Sequence, residues 1–340
     1  MRDLLVVGGG PVGLAAALHA TRAGLDVVVR EPRRGAIDKA CGEGLMPGAV
    51  AALAGLGVHP AGRPLAGIRY VAGDRCAVAD FAHGPGLGVR RTTLHGALRD
   101  AVERAGVMVE HRAVRALDLR DDRVVVDGEP VRHVIGADGL HSTVRRLAGL
   151  DTGRQRSRRF GLRAHLRAEP WTPYVEVHWA RHAEAYLTPV TDDQVGLAVL
   201  TARPGPLSDL LLGFPDLRER FGPVRLSRVL GAGPLRQRSR RRVRGRVLLV
   251  GDAAGYVDAL TGEGIAGGLA QARAAVDAVV AGTPQDYERA WRRLTWRHDL
   301  LTGGLLTATR SRRVRDGLVP TAARVPWLFE AAVNQLARPA

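Results

Sequence analysis

Six residues near the start of the chain, Gly8-Gly9-Gly10-Pro11-Val12-Gly13, restrict its fold more than any other feature. They follow an apolar run, Leu4 to Val7, and open a stretch of small apolar residues, Leu14 to Ala23, beyond which Leu25 to Arg30 is rich in β-branched side chains. Strand, glycine turn, helix and second strand make a βαβ unit. In a G-x-G-x-x-G turn the glycines allow a tight bend, close approach of the backbone to a pyrophosphate, and close packing of the following helix. The helix N-terminus adds amides and a dipole that favours anions. Glu31 stands at the end of the second strand, where a carboxylate can accept hydrogen bonds from the ribose hydroxyls of an adenosine. Gly8, Gly10, Pro11, Val12, Gly13 and Glu31 are therefore the expected contacts of a bound dinucleotide.

The rest of the chain is long enough, at 340 residues, for one large nucleotide-binding domain and a smaller partner. Gly48 to Leu56 reads as a helix, Thr92 to Arg104 as an amphipathic helix capped by Thr92 or Thr93, and Val107 to Glu110 as the next parallel strand. Val114 to Asp127 has the alternation of a meander turning at Asp121-Asp122, and Arg132 to Gly136 is a strand. From about Arg158 to Leu200 the period becomes two, which predicts an antiparallel sheet with one ligand-facing or solvated side. Arg246 to Val250 is again a buried strand, Gly264 to Val280 a helix of small residues, and the chain from about Asp286 is helical and arginine-rich. The expected architecture is α/β: a discontinuous Rossmann-type domain (1–66, 86–155 and 245–285), an inserted antiparallel substrate sheet (67–85 and 156–244), and a helical C-terminal segment (286–340).

Composition narrows the class. No run approaches the roughly 18 apolar residues of a membrane span, and the first residues lack the form of a signal peptide, so a cytoplasmic protein is expected. Cys41 and Cys76 are the only cysteines, which leaves no disulfide framework or zinc site. The formal charge is +16, but the basic residues are spread out and aromatics are 4%, so no specific nucleic-acid partner is expected. Basic runs such as Arg236 to Arg246 leave open attraction of an anionic substrate, a reduced nicotinamide phosphate, or peripheral contact with a membrane.

Three later segments carry a family resemblance. Ile135-Gly136-Ala137-Asp138-Gly139-Leu140-His141-Ser142-Thr143-Val144-Arg145 resembles the GADG-x-x-S-x-V-R segment of class A flavoprotein monooxygenases. Val250-Gly251-Asp252-Ala253-Ala254-Gly255, continuing to Thr261-Gly262-Glu263-Gly264-Ile265, resembles a segment those enzymes share with geranylgeranyl reductases. The third, Lys39-Ala40-Cys41-Gly42-Glu43-Gly44-Leu45-Met46-Pro47, resembles the loop that lies against the isoalloxazine in the reductases. The resemblance, to a superfamily of para-hydroxybenzoate hydroxylase-like fold, implies FAD as the cofactor. It puts Asp252 on the ribityl chain, Gly251, Gly262, Gly264 and Ile265 near the flavin edge, and Asp138, Gly139, Arg91 and Val114 among the FAD contacts. One departure is Ala259, where many relatives have proline. The lone lysine, Lys39, and Cys41 are candidates for the flavin or substrate side.

Where the reductases carry aromatics in the sheet, this chain has Glu184-Ala185-Tyr186-Leu187-Thr188-Pro189. Alternation puts Glu184, Tyr186 and Thr188 on one face, expected over the flavin, with an acid–base or hydrogen-bonding role. Glu176 and His178 alternate similarly, without a placement. The resemblance implies an FAD-dependent monooxygenase that takes NADPH or NADH as a transient reductant and hydroxylates or epoxidises a small hydrophobic, aromatic or polyketide-like metabolite. Its rivals are a flavin-dependent C=C reductase of a prenyl or other lipid and a non-catalytic lipid-binding escort.

Overall fold

The computed structural model describes residues 1–153, 159–203, 205–222, 226–260, 262, 264–309 and 311–338; Arg158, the expected start of the sheet, lies outside them. The fold opens with strand β1 (Arg2–Val7), helix α1 (Pro11–Arg22), strand β2 (Val27–Arg30) and helix α2 (Pro47–Gly55). A hairpin, β3 (Gly67–Ala72) and β4 (Arg75–Asp80), precedes helix α3 (Arg91–Arg104) and strands β5 (Met108–Glu110) and β6 (Glu129–Gly136). Helix α4 (Thr143–Leu147) leads to β7 (Phe160–Arg167), β8 (Tyr174–Trp179), β9 (Ala183–Pro189) and β10 (Gln194–Thr201). The chain returns through β11 (Val247–Leu249) to helix α5 (Gly264–Val280) and ends in α6 (Asp286–Ala308), α7 (Arg312–Arg324) and α8 (Pro326–Ala337).

Strands β5, β2, β1, β6 and β11 lie side by side and parallel. Leu4 to Val7 and Val27 to Val29 are buried, the continuous apolar signature of strands covered on both faces. Two short strands, Leu117–Leu119 and Val124–Val126, extend β6 antiparallel, as the expected meander requires. Around α1 the closest packing is made by glycines. A Cβ at Gly13 would stand 1.9 Å from the Gly8 carbonyl oxygen, and one at Gly268 would stand 2.5 Å from Val12 Cγ2. These two contacts let α1 sit close to both β1 and α5.

The second sheet runs Leu230–Ala232, β7, β10, β9, β8, β3, β4. It is antiparallel as expected except where β8 meets β3, which are parallel because the β3–β4 hairpin arrives from an earlier part of the chain. Ala183, Ala185 and Leu187 pack with Val195, Leu197 and Val199 beneath two short helices, Leu207–Leu211 and Pro215–Phe221. The other face looks toward the nucleotide-binding sheet. Phe329 and Val333 of α8 pack on Ala77 and Ala79 of β4. One local expectation fails: neither Thr92 nor Thr93 caps α3, which begins at Arg91. The Arg91 amide instead donates to the Glu43 carboxylate at 2.9 Å, so the cap comes from 48 positions upstream.

Because the Gly8 carbonyl is backbone and cannot swing aside, Gly13→Ala should destabilise the protein by about 1–3 kcal/mol. A clear fall in Tm checks this, and an unchanged Tm would show that α1 can slide away from β1.

Candidate active site

The loops that follow β1, β2, β6 and β11 converge on one cavity of about 880 Å³, the position where open parallel sheets bind ligands. At its deep end lie Gly8, Gly10, Pro11 and Val12, with Glu31 beside them and Arg91 and Val114 across the space. Gly13 is not among the lining residues; its expected cofactor contact gives way to the packing role described above. No side chain caps α1, so the amides of its first turn are left for an anion. A Cβ at Gly10 would meet only the Arg91 guanidinium, 3.8 Å away, and otherwise open space. Arg91 Nε is buried and has no partner among the described residues. An open glycine cradle beneath an unsatisfied guanidinium fits a diphosphate, and hence the FAD expected from the sequence.

Glu31 holds the turn as well as bordering the cavity. Its carboxylate accepts from the Gly9 amide at 2.9 Å and from Arg33 Nε at 2.7 Å. Burial alone would push the Glu31 carboxyl up, but the hydrogen bonds from Arg33 and Gly9 and the Arg33 charge hold it below its usual value. Farther along, Asp138 and Gly139 line the cavity, but the Asp138 carboxylate is committed to the Thr143 and Val144 amides, at 2.7 and 3.0 Å, and to Ser142. Gly251, Asp252, Gly262, Gly264 and Ile265 border the space; Thr261 and Glu263 of the same segment lie outside the described residues. Lys39 Nζ is 3.4 Å from Asp252 Oδ2, and a Cβ at Gly139 would approach it to 3.3 Å. The chain's one lysine therefore stands between the two later glycine loops, with Cys41 also on the wall.

The sheet contributes Tyr186 and Thr188 as expected. The Tyr186 hydroxyl donates to the Leu260 carbonyl at 2.9 Å, and burial pushes its phenol well above the usual range, so it stays protonated. Thr188 Oγ1 donates to the Gly42 carbonyl at 2.8 Å, pinning the Cys41 loop to the sheet. Glu184 shares their face but does not reach the cavity, and its expected substrate contact is corrected accordingly. It is buried with Asp258 around one guanidinium, Arg159, at 2.8 and 2.9 Å. Burial raises both carboxyls, the nearby Asp258 charge adds to the rise at Glu184, and Arg159 only partly offsets it. Glu176 and His178 lie on the helix-covered side of the sheet, with Arg69, Arg220 and Trp171, while Val175 and Val177 face the cavity.

Sequence reading passed over Glu43 and His165. Glu43, buried and in the left-handed region at φ 59°, lines the cavity and bonds His165 Nε2 at 2.7 Å as well as capping α3. His165 also approaches Arg163, which pairs with Asp38. The only signal in the sequence was a carboxylate within the Cys41 loop. One arm of the wall is apolar, with Ile68 and Phe81 from the β3–β4 region, Leu301 and Leu305 from α6, Leu318 from α7, and Val333 and Leu336 from α8, and Tyr70 among them.

A glycine-cradled dinucleotide site roofed by an apolar sheet defines an FAD-dependent oxidoreductase. The chain belongs to the family whose model, described as an FAD binding domain, matches residues 1–204. It is 33% identical over 339 residues to a menaquinone reductase of Mycolicibacterium smegmatis, the match covering 87% of this chain and 80% of that protein. It is 30% identical over 304 residues to digeranylgeranylglycerophospholipid reductase 1 of Methanothermobacter thermautotrophicus, covering 78% and 74%. Among solved structures it shares its fold with the p-nitrophenol 4-monooxygenase PnpA of Pseudomonas putida DLL-E4, with a TM-score of 0.80, 19% identity and 98% of each chain covered.

Gly10→Val should fold but lose FAD, because its branched side chain occupies the diphosphate space and meets no backbone. A Tm equal to that of the FAD-free parent, with no flavin absorbance, is expected; full flavin content would refute the cradle.

The Glu184 cluster gives a pH signature. Carboxyls raised on folding contribute stability that is complete below their unfolded values and lost as pH rises through the folded ones. Glu184→Gln removes one such group, so its Tm relative to the parent should climb as pH rises from the ordinary carboxylate range through the raised folded one, with FAD content unchanged. A pH-independent difference would count against the raised pair.

Proposed function

We propose that this protein is an FAD-dependent reductase that saturates a carbon–carbon double bond in an isoprenoid or similarly long apolar substrate. The observation that carries this reading is the apolar arm of the cavity, from the flavin loops to Leu305, Leu318, Phe329, Val333 and Leu336. A small phenolic ring would leave that arm unfilled, whereas a tail gains about 0.8 kcal/mol for each methylene it buries there. The names of the two reductase relatives point the same way. This puts first the reaction that the sequence placed second to monooxygenation.

Gly10, the first-turn amides of α1 and Arg91 would hold the diphosphate, Glu31 the adenosine ribose, and Asp252 the ribityl chain. When bound, FAD would supply two-electron, hydride-level chemistry, with NADH or NADPH as the source of electrons. Saturating the bond also needs a proton. We assign its supply to Glu43, which lines the cavity with the buried His165 behind it, Oε2 and Nε2 2.7 Å apart. The Thr188 bond to Gly42 fixes the loop beside Glu43, Tyr186 bonds the Leu260 carbonyl, and Lys39 pairs with Asp252.

Incubating the holoenzyme with menaquinone or a geranylgeranyl lipid and NAD(P)H under anaerobic conditions should give products heavier by two hydrogen atoms, a gain that for menaquinone must survive reoxidation of any quinol to the quinone. Turnover that requires oxygen and carries label from dioxygen into product would establish monooxygenation instead.

A further inference from the structure

Six of the thirteen large hydrophobic side chains exposed among the described residues lie on the last three helices: Trp296, Leu300 and Leu301 on α6, Val314 on α7, Trp327 and Leu328 on α8. Trp327 is 69% exposed and Leu300 65%, so these are not edges of a core. Isolated exposed hydrophobics are ordinary, but a concentration of this kind marks an interaction surface. The exposed side of α6 changes along its length, from Arg289, Arg292 and Arg293 to Trp296, Leu300 and Leu301. From Asp286 onward the sequence carries ten arginines and five carboxylates. Arg293, Arg297, Arg313 and Arg324 are exposed and form no ion pair among the described residues. The Arg297 guanidinium lies 5.2 Å from the centre of the Trp296 ring.

The same helices wall the apolar arm of the cavity. Leu301 of α6 and Ala332 of α8 both line it and are both exposed, so the arm reaches the surface between these helices. No helix among the described residues is long and apolar enough to cross a membrane. Exposed tryptophan and leucine beside unpaired arginine is the make-up of a surface that lies on a bilayer, with rings at the headgroup level and guanidinium groups on lipid phosphates.

We propose that the α6–α8 face docks this protein on an anionic phospholipid bilayer, with Trp296, Leu300, Trp327 and Leu328 in the interface and the mouth of the apolar arm turned toward the lipid. A second copy of the chain fits the face less well, since a twofold contact sets the same unpaired arginines against one another. The basic run from Arg236 to Arg246 does not supply this surface. Within it Arg242 pairs with Glu288, Arg244 donates to the Ala148 carbonyl, and Arg246 donates to the Asp121 carbonyl.

The test uses the full FAD-loaded chain and sedimentable vesicles of phosphatidylcholine alone or mixed with phosphatidylglycerol. The parent should sediment with the mixed vesicles, progressively less as salt is raised, and bromine-labelled lipid should quench its tryptophan fluorescence. The triple variant W296S/L300S/W327S should partition at least about tenfold more weakly, and R293E/R324E should lose the preference for phosphatidylglycerol. All the substituted side chains are exposed and none lines the cavity, so flavin absorbance and Tm should match the parent in both variants. Three results would each overturn the proposal: no sedimentation of the parent and no quenching, binding of both variants equal to that of the parent, or a parental dimer that the triple substitution makes monomeric.

Discussion

The buried guanidinium of Arg145 ties together the two loops on which the cavity depends. It donates to the Leu140 carbonyl at 2.8 Å and the Ala253 carbonyl at 3.0 Å, and its Nε is 3.3 Å from Asp151. One loop follows β6 and presents Gly139; the other follows β11 and presents Asp252. A charge buried this deeply persists only when its donors are matched. Here the matching groups are backbone carbonyls of the two segments, Leu140 and Ala253, whose neighbours line the cavity. Ser142 adds to the arrangement by capping α4 at the Arg145 amide, 2.9 Å away, so the arginine is anchored at both ends. The close approach of Lys39 to both Asp252 and Gly139 follows from this join.

How far the sequence reveals such a site depends on whether the controlling contacts are local. The β1–α1 turn is legible because strand, glycines and helix are consecutive and the glycine that lets the helix close on the strand, Gly13, meets the Gly8 carbonyl of the same turn. Period-two alternation likewise gives the correct face for Glu184, Tyr186 and Thr188, because pleating is a local property. It does not give the position along the strand at which that face leaves the cavity. Glu184 lies beyond that point, and its partners are 25 positions upstream at Arg159 and, through Arg159, a further 99 positions away at Asp258. Glu43 shows the same limit at a helix cap. Local rules select Thr92 or Thr93 for α3, yet a carboxylate in a left-handed loop takes the amide once the fold brings it there. Gly13 was read correctly as a packing glycine, but its motif also suggested a ligand contact that close packing precludes.

Charge divides in a comparable way. Many of the arginines serve inside the fold: Arg30 is almost wholly buried among Glu110, Asp127 and Glu129 at the edge of the parallel sheet, and Arg242 lies 3.5 Å over the Trp291 ring. A net charge of +16 therefore says little about partners until these internal uses are removed. The arginines left without carboxylates on the last helices differ in kind, since they flank exposed tryptophan and leucine rather than a core.

The cavity itself has two unlike ends, and the difference explains why the flavin motifs fix the cofactor but not the substrate. The cofactor end is built from backbone amides, a glycine at position 10 whose missing side chain leaves open space, and directed charges whose geometry tolerates little change. The substrate arm is made of leucine, valine, isoleucine and phenylalanine, whose attraction for a ligand is nearly independent of direction and grows with the area buried. Such a wall can be rewritten residue by residue and still accept an apolar chain, so it leaves no motif. The two ends meet at a polar junction, where Tyr186 bonds the Leu260 carbonyl, Thr188 bonds the Gly42 carbonyl and Glu43 bonds His165. Those directed bonds fix the junction's shape, whereas the length of the arm depends only on how the last helices pack along it.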